Sequence, residues 1–387
     1  MDDLTTSEEL NPPKNKNVEP EVTAEDSRSL DSLDKFIEAT QPLNSIERAI
    51  GNTLFGINHR KIKNVLPQNK DDQGYTFFTR PQLNLTEKNL LNFRKFYPLL
   101  TTESRSIHRY VRTMLDPRLA IDTEHELKSP LLNPQMAFIP ILTNTLKSIS
   151  GWPDVTNSSF TSKAGIRKEQ FNMVDGTVDL YESYDLDVTF NNLKEEPISL
   201  IFDTWLNYMS LAFEGVVSPY MDFIRENEID YNTRIYRIVL TENKKYVKKI
   251  AATGASYPIN VPTGKFFDAT DERPFSDQTK DMTIRFKSVG AIYNDDILVR
   301  NFNSTVCIFN SAMKKVNEGD IAGSGLERIP SNLLELLNFR GYPRINEDTM
   351  EFEWWADADD IAFAKEAMNI EILSSTVTDI LKEKEED

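Results

Sequence analysis

The chain has 387 residues, 39% of them hydrophobic and 22 of them Phe, with one cysteine and a formal net charge of −17. That length exceeds one average domain and carries enough apolar side chains for a sizeable core. The acidic balance excludes gripping DNA through a basic surface but not a channel through which DNA slides without sticking, and a lone cysteine excludes an intrachain disulfide and points to folding in a reducing compartment.

Residues 1–35 are polar, acidic and proline-containing. They cannot bury enough apolar surface to fold alone, so they are either a disordered tail or an arm that orders against a neighbouring subunit. The opening MDDLTTSEEL lacks the layout of a signal peptide, and no run approaches a membrane span in length. Residues 33–66 hold a short helix with Gly51 and Gly56. Residues 74–85 (GYTFFTRPQLNL) read as a strand or extended segment, confined to an edge or an end by Pro81. Thr86 is then an N-cap for a helix carrying Leu90, Leu91, Phe93 and Phe96, closed by Pro98. A second helix runs from near Thr102 through Ile107, Tyr110, Val111 and Met114 and stops before Pro117. Asn133-Pro134 is a helix start, and the apolar segment 136–149 after it is packed or hidden in an interface until the turn Gly151-Trp152-Pro153-Asp154.

In the middle, Tyr184, Leu186, Val188 and Phe190 alternate with Asp185, Asp187 and Thr189, which predicts a half-buried strand with an acidic outer face. Pro197 opens a helix whose Ile198, Ile201, Phe202, Trp205, Tyr208, Met209 and Ala212 fall on one core-facing stripe. Gly215 and Pro219 end it. Residues 234–240 and 246–251 form a hairpin around Glu242-Asn243-Lys244-Lys245. Met282, Ile284 and Phe286 alternate with Thr283, Arg285 and Lys287 in one more strand. Between these strands, residues 253–280 are a loop rich in Gly, Pro and Asp, and a loop of that length is usually functional or an interaction element. Residues 319–325 (GDIAGSG) read as a flexible link. Ser331 caps a helix through Leu333, Leu334, Leu336 and Leu337, residues 350–355 form a strand, residues 361–368 a helix, and residues 381–387 a charged tail. The chain divides into an acidic arm (1–35), a mostly helical region (36–130), a β-rich domain (131–318) and an α+β extension (319–387).

No catalytic constellation emerges. Gly51 and Gly56 have the spacing of a phosphate loop, but Ile57 stands where the lysine belongs. His59, His108 and His125 lack metal-ligand spacing, and Glu124-His125-Glu126 sits in a polar, turn-like stretch. There is no nucleophile elbow. The paired acids Asp271-Glu272 and Asp295-Asp296 read as solvated surface, and Asp357-Ala358-Asp359-Asp360 lacks the glycine and closing glutamate of a calcium loop. Cys307, between Val306 and Ile308, is a buried structural thiol rather than a nucleophile. The chain is therefore read as a non-enzyme that needs no cofactor or metal.

The succession YDLDVTF, an acidic turn with Pro197, the aromatic helix SLIFDTWLNYMSLAFEGVVSPY and the hairpin RIYRIVLTENKKYVKKI resembles the tail tube family of contractile-tailed bacteriophages and its tube-initiator and baseplate relatives, over about residues 130–310. The resemblance implies an α+β fold: an antiparallel β-sandwich or small barrel with one packed helix. It also implies a virion structural protein, assembled in the host cytoplasm, in which six copies close a ring and rings stack through loops and arms. The partners would be further copies of the chain and other tail or baseplate proteins. DNA would pass without specific binding, and no membrane would be involved. In that setting Phe202, Trp205 and Tyr208 hold helix to sheet, Tyr257, Phe266 and Phe267 make subunit contacts, and Asp185 and Asp187 face the lumen. The alternative is a non-enzymatic acidic binding or regulatory module; an enzyme with an unrecognised site is a third reading. Self-assembly separates the first reading from the second.

Overall fold

The computed structural model describes residues 73–121, 127–178, 182–267, 281–334 and 341–366. Its contacts divide the chain into two units, Met1–Lys70 and Asp71–Asp387, and the first lies outside the described residues. The strands are β1 (Gly74–Phe78), β2 (Leu146–Ser150), β3 (Asn157–Thr161), β4 (Asn172–Val178), β5 (Ser183–Asn191), β6 (Ile235–Leu240), β7 (Val247–Pro258), β8 (Asp281–Tyr293), β9 (Leu326–Arg328), β10 (Tyr342–Ile345) and β11 (Phe352–Asp357). Six of them form one antiparallel sheet in the order β1-β6-β7-β8-β5-β2. β10-β11-β9 make a second sheet, and β3-β4 a separate two-stranded ribbon. The longer helices are α1 (Ile107–Leu115), α2 (Pro197–Phe213), α3 (Asp296–Phe309) and α4 (Ser311–Asn317). The class is α+β, and the large sheet curls into a half-barrel. Its two end strands, β1 and β2, line a common cleft of 530 Å³.

Two apolar clusters hold the fold together. In the first, α2 lies on β5 and β8. Proline occupies the first turn of α2, where its missing N–H costs nothing. The helix stops at Gly215, whose φ of +74° suits a residue without Cβ. Ile198, Ile201, Phe202, Trp205 and Tyr208 are fully buried with Leu186, Val188 and Phe190 of β5 and Met282, Ile284 and Phe286 of β8. Burying each such side chain contributes about 1.5–3 kcal/mol. The second cluster packs Leu298, Val299, Phe302 and Val306 of α3 against Tyr236 and Ile238 of β6 and against Ile345, Phe352 and Trp355 of the small sheet. Asp295 caps α3 by accepting from the Ile297 N–H at 3.0 Å.

β1 joins the two clusters. Successive side chains on a strand point to opposite faces. Phe77 accordingly meets Phe138 and Phe302 at 4.8 and 5.3 Å, whereas Phe78 meets Phe190 and Phe286 at 5.8 and 5.9 Å.

Just beyond β1, the buried guanidinium of Arg80 clasps two segments. It donates from Nε to the Met114 carbonyl at 2.9 Å, from Nη2 to Thr113 at 2.6 Å, and from Nη1 to Pro134 and Met136 at 2.9 and 3.0 Å. Thr113 and Met114 lie in the last turn of α1, whose carbonyls have no partner within the helix, and a cation there also opposes the helix dipole. Burial lowers the Arg80 pKa to about 10, so the group stays charged at neutral pH. Asp116, next to the end of α1, is fully buried and accepts from the Leu85 N–H and the Tyr220 hydroxyl, each at 2.8 Å.

Several elements differ from the sequence reading. The helix expected from Thr86 stops at Leu90, because Phe93 is extended (φ −138°, ψ 118°) and resets which side chains point inward. Pro98 does not end a helix; it sits inside a 3₁₀ segment, Arg94–Leu100. Asn133 caps only a turn, accepting from the Gln135 N–H at 3.0 Å. The apolar run after it supplies a short helix, Pro140–Thr145, and then β2, because β5 claims its backbone. Residues 319–325 are not a link: Ile321–Ser324 is a helical turn, capped by Asp320 and closed by Gly325 at φ +71°. The loop before β8 begins later than expected, since β7 runs on to Pro258. The segment at Ser331 is a 3₁₀ turn, Ser331–Leu333. Asp295 is a helix cap, and Cys307 is half-buried, its sulfur accepting from Asn317 Nδ2 at 3.4 Å while burial raises the thiol pKa. The expectations for residues 1–70, Glu124-His125-Glu126, Asp271-Glu272, Leu336, Leu337 and residues 367–387 fall outside the described residues.

Candidate assembly surface

Phe202, Trp205 and Tyr208 lie together in the first core. Phe202 stacks on Trp205 at 6.1 Å and meets Phe190 and Phe286 at 5.9 and 5.7 Å. The polar atoms of the other two are satisfied: Trp205 Nε1 donates to the Tyr231 carbonyl at 3.0 Å, and the Tyr208 hydroxyl donates to Asp230 at 2.5 Å. Burial, aided by Asp230, raises the Tyr208 pKa far above its ordinary value. These residues shape the sheet from behind and offer nothing to solvent.

The opposite face of β5 and β8 is polar. The register sets Asp185 opposite Lys287, Asp187 opposite Arg285 and Thr189 opposite Thr283. Each acid–base pair closes at 2.8 Å and the threonine hydroxyls at 3.1 Å. Lys147 of β2 adds a further pair with Asp281 at 2.5 Å. The outcome is a ladder in which Asp185 and Asp187 are each matched by a cation. Such exposed pairs contribute at most about 1 kcal/mol apiece to stability, so what they define is the charge of the face.

Of the three loop aromatics, Tyr257 is half-buried at the end of β7, edge-on to Tyr231 at 6.0 Å. Phe267 is 86% exposed. Phe266 belongs to the 3₁₀ segment Thr263–Phe267, and its side chain is outside the described residues. Phe267 borders a cavity of 730 Å³ between the starts of α1 and α2. Ile107 and Leu200 give the cavity apolar wall; Glu195, Glu196 and Asp203 give it carboxylates. Arg105 and His108 also line it. Glu195 and Glu196 hold consecutive left-handed conformations, φ +70° and +53°. That backbone is uncommon for residues with a Cβ.

Sequence reasoning missed the β3-β4 ribbon altogether. Its register pairs Phe160 with Met173, and Phe171 shares their face two residues on. The three are 50%, 53% and 65% exposed. At the tip, Ile166 is wholly exposed beside Lys163, Arg167 and Lys168. Gly165 and Glu169 close the turn through an N–H to carbonyl bond of 2.9 Å. Among the described residues no group of three or more His, Cys, Asp or Glu is placed to hold a metal, and no helix is long and apolar enough to cross a membrane.

A family model described as "Putative phage tail tube protein" matches residues 13–371. The chain belongs to this family. As a phage tail tube protein it is a structural component of a viral tail, and its curled antiparallel sheet with packed helices suits that membership. No curated protein sequence matches it. Among solved structures this tail tube protein is similar to the anti-feeding prophage cap (the AFP tube terminating cap), at 11% identity and a TM-score of 0.25 over 41% of this chain and 82% of that one. It is also similar to the sheath/tube terminator of the extracellular contractile injection system PVC in its extended state, at 10% identity and a TM-score of 0.23 over 41% and 87%. A chain of the PVC sheath-tube complex in the extended state is similar at 14% identity and a TM-score of 0.23 over 41% and 82%.

Proposed function

We propose that copies of this chain join edge to edge into a ring, six to a turn, as part of a tail tube or of the tube initiator on the baseplate, with DNA passing through unbound. Membership of the tail tube family across residues 13–371 carries this reading. The open sheet supports it. Its terminal strands are β1 and β2; residues 137–139 bond β1 near Phe78, and the rest of these outer edges suits pairing with another chain, which a closed ring of identical copies satisfies. The role is structural, not catalytic.

In this reading residues 131–318, with β1 at the edge of their sheet, build the ring wall, the rest of residues 36–130 and residues 319–387 brace it, and the arm 1–35 reaches a neighbour. The small sheet contributes to that bracing through the core it shares with β1 around Phe77, Phe302 and Phe352. The ladder of Asp185, Lys287, Asp187 and Arg285 lines the bore. Because each carboxylate is matched by a cation, the strip offers phosphates neither a strong grip nor strong repulsion, which suits DNA that must slide. Tyr257, Phe266 and Phe267 contact the adjoining subunit or ring.

The test is negative-stain electron microscopy of the purified chain, with light scattering for mass across a concentration series. Rings or short tubes with six-fold views are expected. A monomer that persists at high concentration, with and without other tail proteins, overturns the reading.

A further inference from the structure

We propose that the tip of the β3-β4 ribbon on one copy docks into the cavity between α1 and α2 on a second copy. The inference rests on the self-assembly reading above and names the residues that would carry one of its contacts.

Two observations at separate places on the molecule lead to it. The ribbon is a two-stranded sheet of its own, its residues exposed along the length of β3. A lone hairpin is marginal in water, and this one keeps Phe160, Phe171 and Met173 on one exposed face with Ile166 at the apex. Apolar surface held out in this way marks an interaction site. The cavity lies elsewhere, walled by Ile107 and Leu200, bordered by the exposed ring of Phe267 and open to solvent.

Charge selects a second copy as the occupant. Between Lys163 and Glu169 the tip carries three cations and one carboxylate, on a chain whose net charge is −17. The cavity carries three carboxylates, Glu195, Glu196 and Asp203, against the single guanidinium of Arg105. Ile166 between Lys163 and Arg167 presents an apolar apex flanked by positive charge; the cavity presents apolar wall flanked by negative charge. Complementary potentials of this kind fix register and steer the encounter. Because tip and cavity are different surfaces of one chain, the contact is head-to-tail. Such a contact repeats from copy to copy and either closes a ring or continues as a stack.

The test uses the full chain in three forms, each first checked for native circular dichroism and melting. Wild type is compared by sedimentation velocity with a tip variant (Lys163→Glu, Arg167→Glu, Lys168→Glu) and a cavity variant (Glu195→Lys, Glu196→Lys). Each variant alone is expected to self-associate about 100-fold more weakly, because like charges then face each other at the contact. Mixing the two variants is expected to restore assembly, since each reversed tip meets a reversed cavity on its neighbour. Variants that assemble as well as wild type, or a loss that mixing does not restore, overturn the docking proposal and leave the ring reading standing. A wild-type chain that never self-associates overturns both.

Discussion

Replacing Arg80 with Met tests how the first core is tied to the segments around it. Methionine fills much of the same space but donates no hydrogen bond. Four carbonyls, of Thr113, Met114, Pro134 and Met136, then lose a charged donor lying 2.6–3.0 Å away. Two of them terminate α1, and the helix also loses a cation at its negative end. Leaving a buried carbonyl unsatisfied costs about 1–3 kcal/mol; four would give about 4–12 kcal/mol, but the variant is also relieved of burying a cation, an effect of several kcal/mol in the other direction. The expected net loss is about 3–5 kcal/mol. Arg80→Lys, which keeps the charge but not the planar fork, should recover about half. The assay is equilibrium urea unfolding followed by tryptophan fluorescence, since Trp205 lies in the same core. An Arg80→Met protein within about 0.5 kcal/mol of wild type would refute the claim that this side chain joins α1, β1 and residues 134–136; a loss that small is what an ordinary surface substitution produces.

Two further outcomes follow from the geometry. Burial raises the Asp116 pKa from 3.8 to about 6, against the opposing pull of its hydrogen bonds. The folded state therefore holds that proton more tightly than the unfolded chain, and the associated stability is present below about pH 4 and lost as pH rises through about 6. The loss amounts to about 3 kcal/mol. Urea midpoints of wild type and Asp116→Asn should diverge over that window; parallel profiles would mean that Leu85 and Tyr220 keep the carboxylate ionised throughout. Phe266→Ser with Phe267→Ser should leave monomers soluble yet block assembly in electron microscopy, and Phe267→Ser alone should leave the melting temperature unchanged, because Phe267 is already 86% exposed. Unchanged assembly would remove this loop from the contact.

The parts of the fold that could be read from sequence are those whose apolar period matches one buried face. Leu186, Val188 and Phe190 alternate, and all three are buried; Ile198, Ile201, Phe202, Trp205 and Tyr208 keep helical spacing, and all five are buried. α3 carried the same kind of signal in Leu298, Val299, Phe302 and Val306 after Asp295, but the adjacent acids drew attention to the surface instead of to a cap. The β3-β4 ribbon gave little signal because neither of its faces is buried, so no alternation between core and solvent marks it. The charge ladder needed the β5–β8 register, which places Asp185 against Lys287 and which composition does not contain. The cavity gathers residues near 105, 195–203 and 263–267, far apart along the chain, and only tertiary packing brings them to one place.

β1 sets an order of events during synthesis. Gly74 pairs with Val239, a partner made 165 residues later. At about 5–20 residues per second, translation needs roughly 10–30 s to supply it. Throughout that interval β1 lacks its neighbour in the sheet and Phe77 and Phe78 have only the earlier-made part of their clusters, such as Phe138 and Phe190, while Arg80 can reach the carbonyls of α1 before β6 exists. The strand that ties the two cores is thus the last of the first-made elements to find its place, and a ribosome that pauses before residue 240 prolongs the time in which it can pair with the wrong neighbour.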